Sequence, residues 1–452
     1  MPDYAGAKAK MTNVLFHRWI RAGLFVVALA SCGGRNATVP PLSGAQVAPS
    51  SRNREAATAN GGFETERLWG APARDDWEPT NAADPSSSWV YQITTRQRPN
   101  FLLFRSSANG GTTWNPSRHI CRRDFKLHFQ FDPQIVVARN GTVDVACLDN
   151  FLPGVVFTQS RDHGHTWSAP VRLDGFHSYS DKPTLLVAPS GNDVYVSFNI
   201  DYALYVAASH DGGITWNRPV RATTRRLWYY SYGGTVAPDG SVWFAVDGEA
   251  GKNQTGDGHI ALVLSVNRGI SWTTIPMAVT REGAPCRYKN CYPDFYTGQD
   301  AIAADSDGGL VFVYAQNQQP QGPNALYVRS SRDGVRWTPP LAIATVGNST
   351  SPAICAGPAA GDFRLVWQDN RNGAHAWNTW YARSTDRGAS WSSAVRLSDL
   401  GTGPPYKHRN GYDFPFGDYL GLSVDARGLN HVIWGEGSGV YVPGGTWFTR
   451  GI

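Results

Sequence analysis

Ser209-His210-Asp211-Gly212-Gly213-Ile214-Thr215-Trp216 is the stretch that decides how the rest of the chain is read. Its form, Ser-x-Asp-x-Gly-x-Thr-Trp, returns at Ser107–Trp114, Ser160–Trp167, Ser265–Trp272 and Ser384–Trp391, with Asn109 and Asn267 in the Asp place of two copies. A worn copy spans Ser330–Trp337, where Arg332 and Arg336 stand in the Asp and Thr places. The interval of roughly fifty residues between tryptophans marks an array of one supersecondary unit. The residue types suit a turn. A short Asp or Asn accepts hydrogen bonds from nearby amides, Gly takes a positive φ, and the Thr hydroxyl adds a local bond. Trp packs as a large anchor with its N–H at the ring edge.

This repeat resembles the Asp-box (BNR) repeat of sialidases and related β-propellers, and the resemblance covers nearly all the chain after about residue 63. It implies a motif that joins the third and fourth strands of a blade on the face away from the ligand. The repeated aspartates are then structural, not six catalytic acids.

Each unit carries an apolar strand, a Gly turn, an alternating strand, a variable loop, a third strand, the repeat and a short fourth strand. In the second unit these are Gln134–Ala138, Thr142–Leu148, Val155–Gln159 and Pro170–Leu173. Period-two alternation rich in Val, Tyr, Phe and Trp signals half-buried strands, and no helical periodicity follows residue 63. Units begin near Pro79, Pro133, Pro183, Gly234, Asp300, Pro352 and Asp418, so the fold expected is an all-β propeller of seven four-stranded blades. Sialidase domains generally have six, and six blades with an accessory hairpin is the alternative. The seventh unit runs out after its third strand. The orphan segment Phe63–Trp69 is therefore expected beside Trp447–Arg450, closing the ring and removing an open sheet edge.

Composition agrees: 48 Gly, 29 Pro and 17 Trp among 452 residues, with only 17% charged, fit many short strands and tight turns. The formal charge of +5 is spread without a basic run, which argues against nucleic acid as a partner. At the N-terminus, Arg18 and Arg21 precede the apolar run Ala22–Ala30, too short to span a bilayer as a mature helix. Leu29-Ala30-Ser31-Cys32 looks like a bacterial lipobox, with Cys32 as the lipidated residue; a plain cleaved signal with an incidental Cys is the alternative. The organisation expected is a signal segment 1–32, a disordered tether 33–62 and a propeller domain 63–452, in an exported cell-envelope lipoprotein that meets the membrane only through its anchor. Cys286 with Cys291, and Cys121 with Cys147, are plausible disulfides for an exported chain, whereas Cys355 reads as a buried thiol. No His cluster accompanies either pair, so neither metal nor cofactor is expected.

In a propeller the loops entering inner strands and leaving second strands gather at one face. Second strands here end in Asp149, Asn199, Asp247 with Glu249, Gln316, Asp369 with Arg371, and Glu436; inner strands open with Glu78, Asp132, Asp181, Asp300 and Asp418. Long loops add Arg122, Arg123, Arg225, Arg226, Arg287, Tyr412 and Asp413. Carboxylates for hydroxyls or acid–base work, Arg for a substrate carboxylate and aromatic faces for ring stacking are what sugar sites need. The bland alternative is that Asp opening a strand only fixes a turn and that Asp369 and Arg371 form an internal pair. The expected ligand contacts are Asp132, Asp181, Asp369, Arg371 and Asp418, with Trp228, Tyr229 or Tyr230 stacking on a sugar. Glu249, Glu436 and Asp149 are the candidates for catalysis.

The family resemblance implies an arginine triad that grips the sialic acid carboxylate, a Tyr–Glu nucleophile pair and an Asp acid–base. The arginine of the family's first-blade Arg-Ile-Pro motif is missing from Asp75-Asp76-Trp77-Glu78-Pro79-Thr80. Two functions are therefore carried forward. One is a sialidase-like exo-glycosidase acting on extracellular or cell-surface sugars. The other is a non-catalytic propeller, scaffold or adhesin, that binds a glycan or protein. A monomer is expected in either case.

Overall fold

The computed structural model describes residues 60–69, 76–96, 100–121, 130–149, 154–175, 180–249, 256–283, 298–373, 376–398, 407–408, 411–412, 420–437 and 444–451. Seven four-stranded antiparallel sheets follow one another as blades of a β-propeller. Their inner strands are Asp76–Ala83, Gln130–Val137, Asp181–Val187, Trp228–Val236, Asp300–Ala304, Ser349–Ala356 and Gly421–Val424, numbered here as blades 1 to 7. In blades 1 to 6 the sheet order follows the chain from inner to outer strand. The seventh blade takes its outer strand from the N-terminal side, Arg67–Trp69, which pairs antiparallel with Gly444–Gly451 through Arg67↔Phe448, Leu68↔Trp447 and Trp69↔Thr446. Closure therefore happens as expected, and the seven-bladed reading stands over the six-bladed one. A small hairpin, Lys407–His408 with Gly411–Tyr412, lies outside the blades.

The seam of that last blade is built around a buried arginine. Arg105 of blade 1 has its guanidinium carbon 4.3 Å from the Trp69 ring, 4.4 Å from Trp114 and 4.6 Å from Phe448. Gln92 accepts two of its hydrogen bonds. Burial lowers the Arg105 pKa to about 9, so the cation is held by aromatic faces and an amide rather than by a counter-ion.

The repeats form the turns between third and outer strands, and their hydrogen bonds explain their composition. In blade 3, Ser209 Oγ donates to Asp211 Oδ1 at 2.8 Å and accepts from Gly213 N at 2.9 Å. Asp211 accepts from Thr215 N and Oγ1, and Trp216 Nε1 donates to Gly213 O at 3.1 Å. These bonds hold the exposed Asp211 carboxyl down at about 2, the Thr215 hydroxyl contributing most. The copy in blade 5 is shortened, not worn. Ser331 and Asp333 take the Ser and Asp places, Gly334 N donates to Ser331 Oγ at 2.9 Å, and Trp337 Nε1 donates to Gly334 O. One residue is missing between Asp and Gly, so alignment on Ser330 and Arg332 put the motif out of register.

These turns also bind blade to blade. Gly213 adopts φ +81°, and a Cβ there would stand 2.5 Å from Phe157 of blade 2; at Gly164 it would stand 2.3 Å from Phe104 of blade 1. Beside each glycine the tryptophan meets the same ring edge-on, Trp216 on Phe157 at 4.9 Å and Trp167 on Phe104 at 5.0 Å. All six repeat tryptophans are half-buried, because each caps the end of an inter-blade core and leaves one edge in solvent. The core itself lies between neighbouring blades, as where Phe157 and Phe198 share one cluster. Cys121 and Cys147 form a disulfide that ties the end of blade 1 to the second strand of blade 2. Cys355 is a free thiol pushed up to about 12 by burial. Cys286, Cys291 and Cys32 lie outside the described residues.

Docking of the turn on the preceding blade has a measurable consequence. Trp216→Ala is expected to destabilise the fold by about 3 kcal/mol, the lower end for a large aromatic because half the ring is already wet. Gly213→Ala is expected to cost at least about 2 kcal/mol through strain and the clash with Phe157. Urea unfolding of both variants checks this, and values within error of the parent would contradict a docking role.

Candidate functional site

Register places the ends of second strands beside the starts of inner strands. Asp76 pairs with Arg96, Gln130 with Asp149, Asp181 with Asn199, Trp228 with Glu249 and Ser349 with Asp369. All these pairs lie on one face of the ring, opposite the repeat turns, and are called here the funnel face. Inner strands of neighbouring blades are joined across it. Lys182 Nζ of blade 3 reaches Asp132 Oδ1 of blade 2 at 3.3 Å, and Asp132 N donates to Glu78 Oε2 of blade 1 at 3.3 Å.

Four of the inner strands share a backbone device. Glu78, Asp132, Lys182 and Ser351 have φ near +50°, each directly precedes a proline, and each sits at a register break in the pairing with the second strand. A non-glycine residue in this region costs about 1–3 kcal/mol. The bulge turns the side chain out of the pleat, and the proline sits where no ladder donor is needed. Asp132 and Lys182 thereby meet at the blade 2–blade 3 junction. The Asp132 and Asp181 carboxyls share a hydrogen bond, and burial, reinforced by the Asp132 charge, raises Asp181 to about 7. Lys182 was not among the expected site residues, though the recurring X-Pro step at Glu78-Pro79, Asp132-Pro133 and Lys182-Pro183 marks it in the sequence.

A second group lies between blades 4 and 5. Trp228 stands across from Glu249 and Tyr230 across from Asp247, so all four share one sheet face. Asp247 is the centre: its charge raises both Glu249 and Asp300, which burial has already pushed well above the carboxylate range, and burial lifts Asp247 itself to about 7. Both Asp300 oxygens, Asp247 Oδ1 and Glu249 Oε2 are buried without a hydrogen-bond partner among the described residues. Space around Asp247 is kept by glycines, since a Cβ on Gly298 would lie 2.3 Å from its carboxylate. No group of three or more His, Cys, Asp or Glu among the described residues has the arrangement of a metal site.

The third group spans blades 6 and 7 and uses one motif twice. Trp367 Nε1 donates to Asp369 Oδ2 at 2.8 Å, and Trp434 Nε1 donates to Glu436 Oε2 at 2.8 Å. Arg371 closes on Asp369 as a fork, with Nε to Oδ1 at 2.9 Å and Nη2 to Oδ2 at 2.6 Å, and its guanidinium stacks over Trp380 at 4.0 Å. Arg96 grips Asp76 in the same bidentate way in blade 1. Such forks and indole donors fix the orientation of each carboxyl group.

The expected site residues thus divide. Asp132 meets Asp181, Asp369 meets Arg371, and Glu249 joins Asp247 and Asp300. Asp149 is buried at the end of its strand in blade 2, and Glu436 is buried against Trp434. Trp228 and Tyr230 lie on the acid-bearing face of blade 4, with Tyr202 edge-on to Trp228 at 5.4 Å and Tyr232 stacked on Tyr230 at 6.2 Å. Tyr229 points the other way, into the core between blades 3 and 4, where its hydroxyl donates to Arg225 O. A stacking surface for a sugar is therefore not available on Tyr229, because successive residues of a strand face opposite sides. Asp418, Arg122, Arg123, Arg287 and Asp413 lie outside the described residues, as does the side chain of Tyr412.

The protonated carboxyls couple ionisation to stability. Unfolded Asp and Glu ionise near 4. Asp181, Asp247, Glu249 and Asp300 keep their protons to higher pH in the folded chain, so their stabilisation is complete below about pH 4 and is lost as pH rises, through about 7 for Asp181 and Asp247. The urea midpoint is expected to fall between pH 5 and pH 8, and Asp300→Asn is expected to raise it at pH 8 and flatten the profile. A midpoint that climbs across this range in both proteins would contradict the assignment.

No protein-family profile matches the chain, and no curated protein matches it by sequence. Among solved structures it is similar to the intramolecular trans-sialidase of Ruminococcus gnavus, at 13% identity over 87% of this chain and 98% of that one, with a TM-score of 0.46. It is also similar to the α-L-arabinofuranosidase Arb93A of Fusarium graminearum, at 12% identity over 87% of this chain and 98% of that one, with a TM-score of 0.48. NanB sialidase of Streptococcus pneumoniae aligns at 11% identity over 86% of this chain and 71% of that one, with a TM-score of 0.46.

Proposed function

We propose that the chain is a glycan-processing propeller, a sialidase-like exo-glycosidase acting on cell-surface or extracellular sugars at the funnel face. One observation carries this reading: the face bears carboxyls of two kinds. Glu249 and Asp247 retain protons at neutral pH, while Asp369 is tied to arginine and Glu436 to an indole N–H. Glycoside hydrolysis needs both, one carboxylic acid to protonate the leaving oxygen and one carboxylate to meet the positive charge at the anomeric carbon or to activate water.

In this reading Glu249 is the proton donor, kept neutral first by burial and further by Asp247 as that group ionises. Glu436 is the carboxylate, oriented by Trp434. Arg371 supplies the cation for an acidic sugar: Asp369 occupies its Nε–Nη2 edge, which leaves the Nη1 side of the fork for a substrate carboxylate. Trp228 and Tyr230 form a buried aromatic wall on the sheet face that carries the acid. Asp149, Asp132 and Asp181 extend the polar wall through blades 2 and 3. No step calls on a metal or cofactor. The lipobox at Cys32 would hold the enzyme at the cell envelope.

The test is turnover of 4-methylumbelliferyl glycosides of sialic acid and of neutral sugars. The parent is expected to cleave the sialoside, and Glu249→Gln and Glu436→Gln are each expected to lower kcat by about 10²–10⁴-fold while unfolding as cooperatively as the parent. A folded parent that cleaves no member of the panel would overturn the enzymatic reading and return the chain to the glycan-binding class.

A further inference from the structure

The face opposite the funnel carries an asymmetry that neither the repeat hydrogen bonds nor the proposed catalysis uses. Among the described residues, Ile214 is 64% exposed, Val266 78%, Ile270 73% and Val335 79%. All four stand on the repeat turns of blades 3, 4 and 5, which are neighbours in the ring. The sixth place of the motif holds Ile214, Ile270 and Val335 in these blades, where blades 1, 2 and 6 hold Thr112, His165 and Ala389. Arg218, Arg268, Arg332 and Arg336 flank the tips; Arg268 pairs with Asp193 and Arg336 with Asp333. The turns are rigid, each held by its own Ser and Asp or Asn, so the aliphatic side chains are presented at fixed points.

The chain leaves the ring on this same face. Arg67–Trp69 is antiparallel to Gly444–Gly451, and Phe63 bridges Gly451, so the segment before residue 63 starts from the end of a third strand, where the repeat turns lie. The tether that the sequence predicts for residues 33–62 would span roughly 30 Å if it behaves as a coil. An anchor at Cys32 would thus hold the turn face, not the funnel, toward the bilayer.

We propose that the turn face of blades 3 to 5 rests on a phospholipid bilayer, with Ile214, Val266, Ile270 and Val335 entering the boundary between headgroups and acyl chains. A bilayer suits these side chains better than a protein partner does. They project from three blades, separated by polar turn residues such as Thr215, Asn267 and Ser271; of the four, Ile270 borders a small apolar groove with Val206, Ala208 and Val220. A lipid surface accepts such discrete points, each adding buried apolar area, and the arginines beside them reach the headgroup layer. The consequence is orientation: the funnel opens away from the membrane, toward sugars outside it. The inference takes its tether from the lipobox reading and is independent of catalysis.

Amide hydrogen exchange on the full chain bound to phosphatidylethanolamine–phosphatidylglycerol vesicles tests it. Exchange is expected to slow in the turns at 212–216, 266–272 and 334–337 and to stay as in solution at 110–114, 163–167 and 387–391. The triple variant Ile214→Ser, Ile270→Ser, Val335→Ser is expected to keep the parent's unfolding midpoint and lose the slowing. Cys32→Ser reports separately on the anchor, through the fraction bound. Bound protein with no slowing at any turn, or with equal slowing at all six, would overturn the proposal.

Discussion

The ring depends on repeat turns laid against the blade before: in blades 2, 3 and 5 the turn glycine at positive φ meets an aromatic ring of that blade, with the turn's tryptophan edge-on to the same ring, and in blade 6 it meets Val311 and Val328 instead. A four-stranded blade has two apolar faces and cannot bury either alone. The turn supplies the fixed point that sets the spacing of one blade on the next. Its Ser, Asp or Asn, and Thr or Ser satisfy the turn amides at the surface, and in four of the six turns the tryptophan N–H donates to the turn glycine's carbonyl. Only the seventh blade lacks the motif, and there the chain uses a different device, an arginine enclosed by three aromatic rings at the strand that closes the circle.

With the periphery fixed in this way, the inner strands can carry strain. Left-handed backbone at Glu78, Asp132, Lys182 and Ser351 is unfavourable in isolation, and persists because the blades on both sides determine the position of each strand. The result is a face on which like charges are brought together and buried. Asp247, Asp300 and Glu249 respond by keeping protons, whereas Asp369, Asp76 and Asp132 find Arg371, Arg96 and Lys182. Buried acids of the first set hold protons while those of the second are paired with cations, and carboxyls in such different surroundings are what a sugar-cleaving site requires.

Much of the architecture was legible in the sequence because it is periodic. The repeat gave the blade interval, the alternation gave the strands, and the missing fourth strand after Trp447–Arg450 pointed to Phe63–Trp69. Two misreadings have the same local origin. Aligning the blade 5 repeat on Ser330 hid a one-residue deletion, which only the Ser331–Asp333 hydrogen bond reveals. Placing Tyr229 with Trp228 and Tyr230 ignored strand alternation, which sends its ring into the core. The site was legible as a list of strand ends but not as a set of partners. Nothing in the sequence says that Asp132 meets Asp181 or that Asp300 faces Asp247, because those contacts join blades some fifty residues apart. The X-Pro steps and the paired Trp-x-Asp and Trp-x-Glu steps at Trp367 and Trp434 were the available signals, and they were not used.

The central claim is that a set of buried carboxyls on the funnel face stays protonated near neutral pH. Infrared titration of the carboxylic-acid carbonyl stretch, followed from pH 5 to pH 8, measures it directly. The account predicts an acid band that survives above pH 5, weakens as Asp181 and Asp247 ionise at about 7, and is diminished in Asp300→Asn. A folded protein whose acid band has vanished by pH 5 would contradict it.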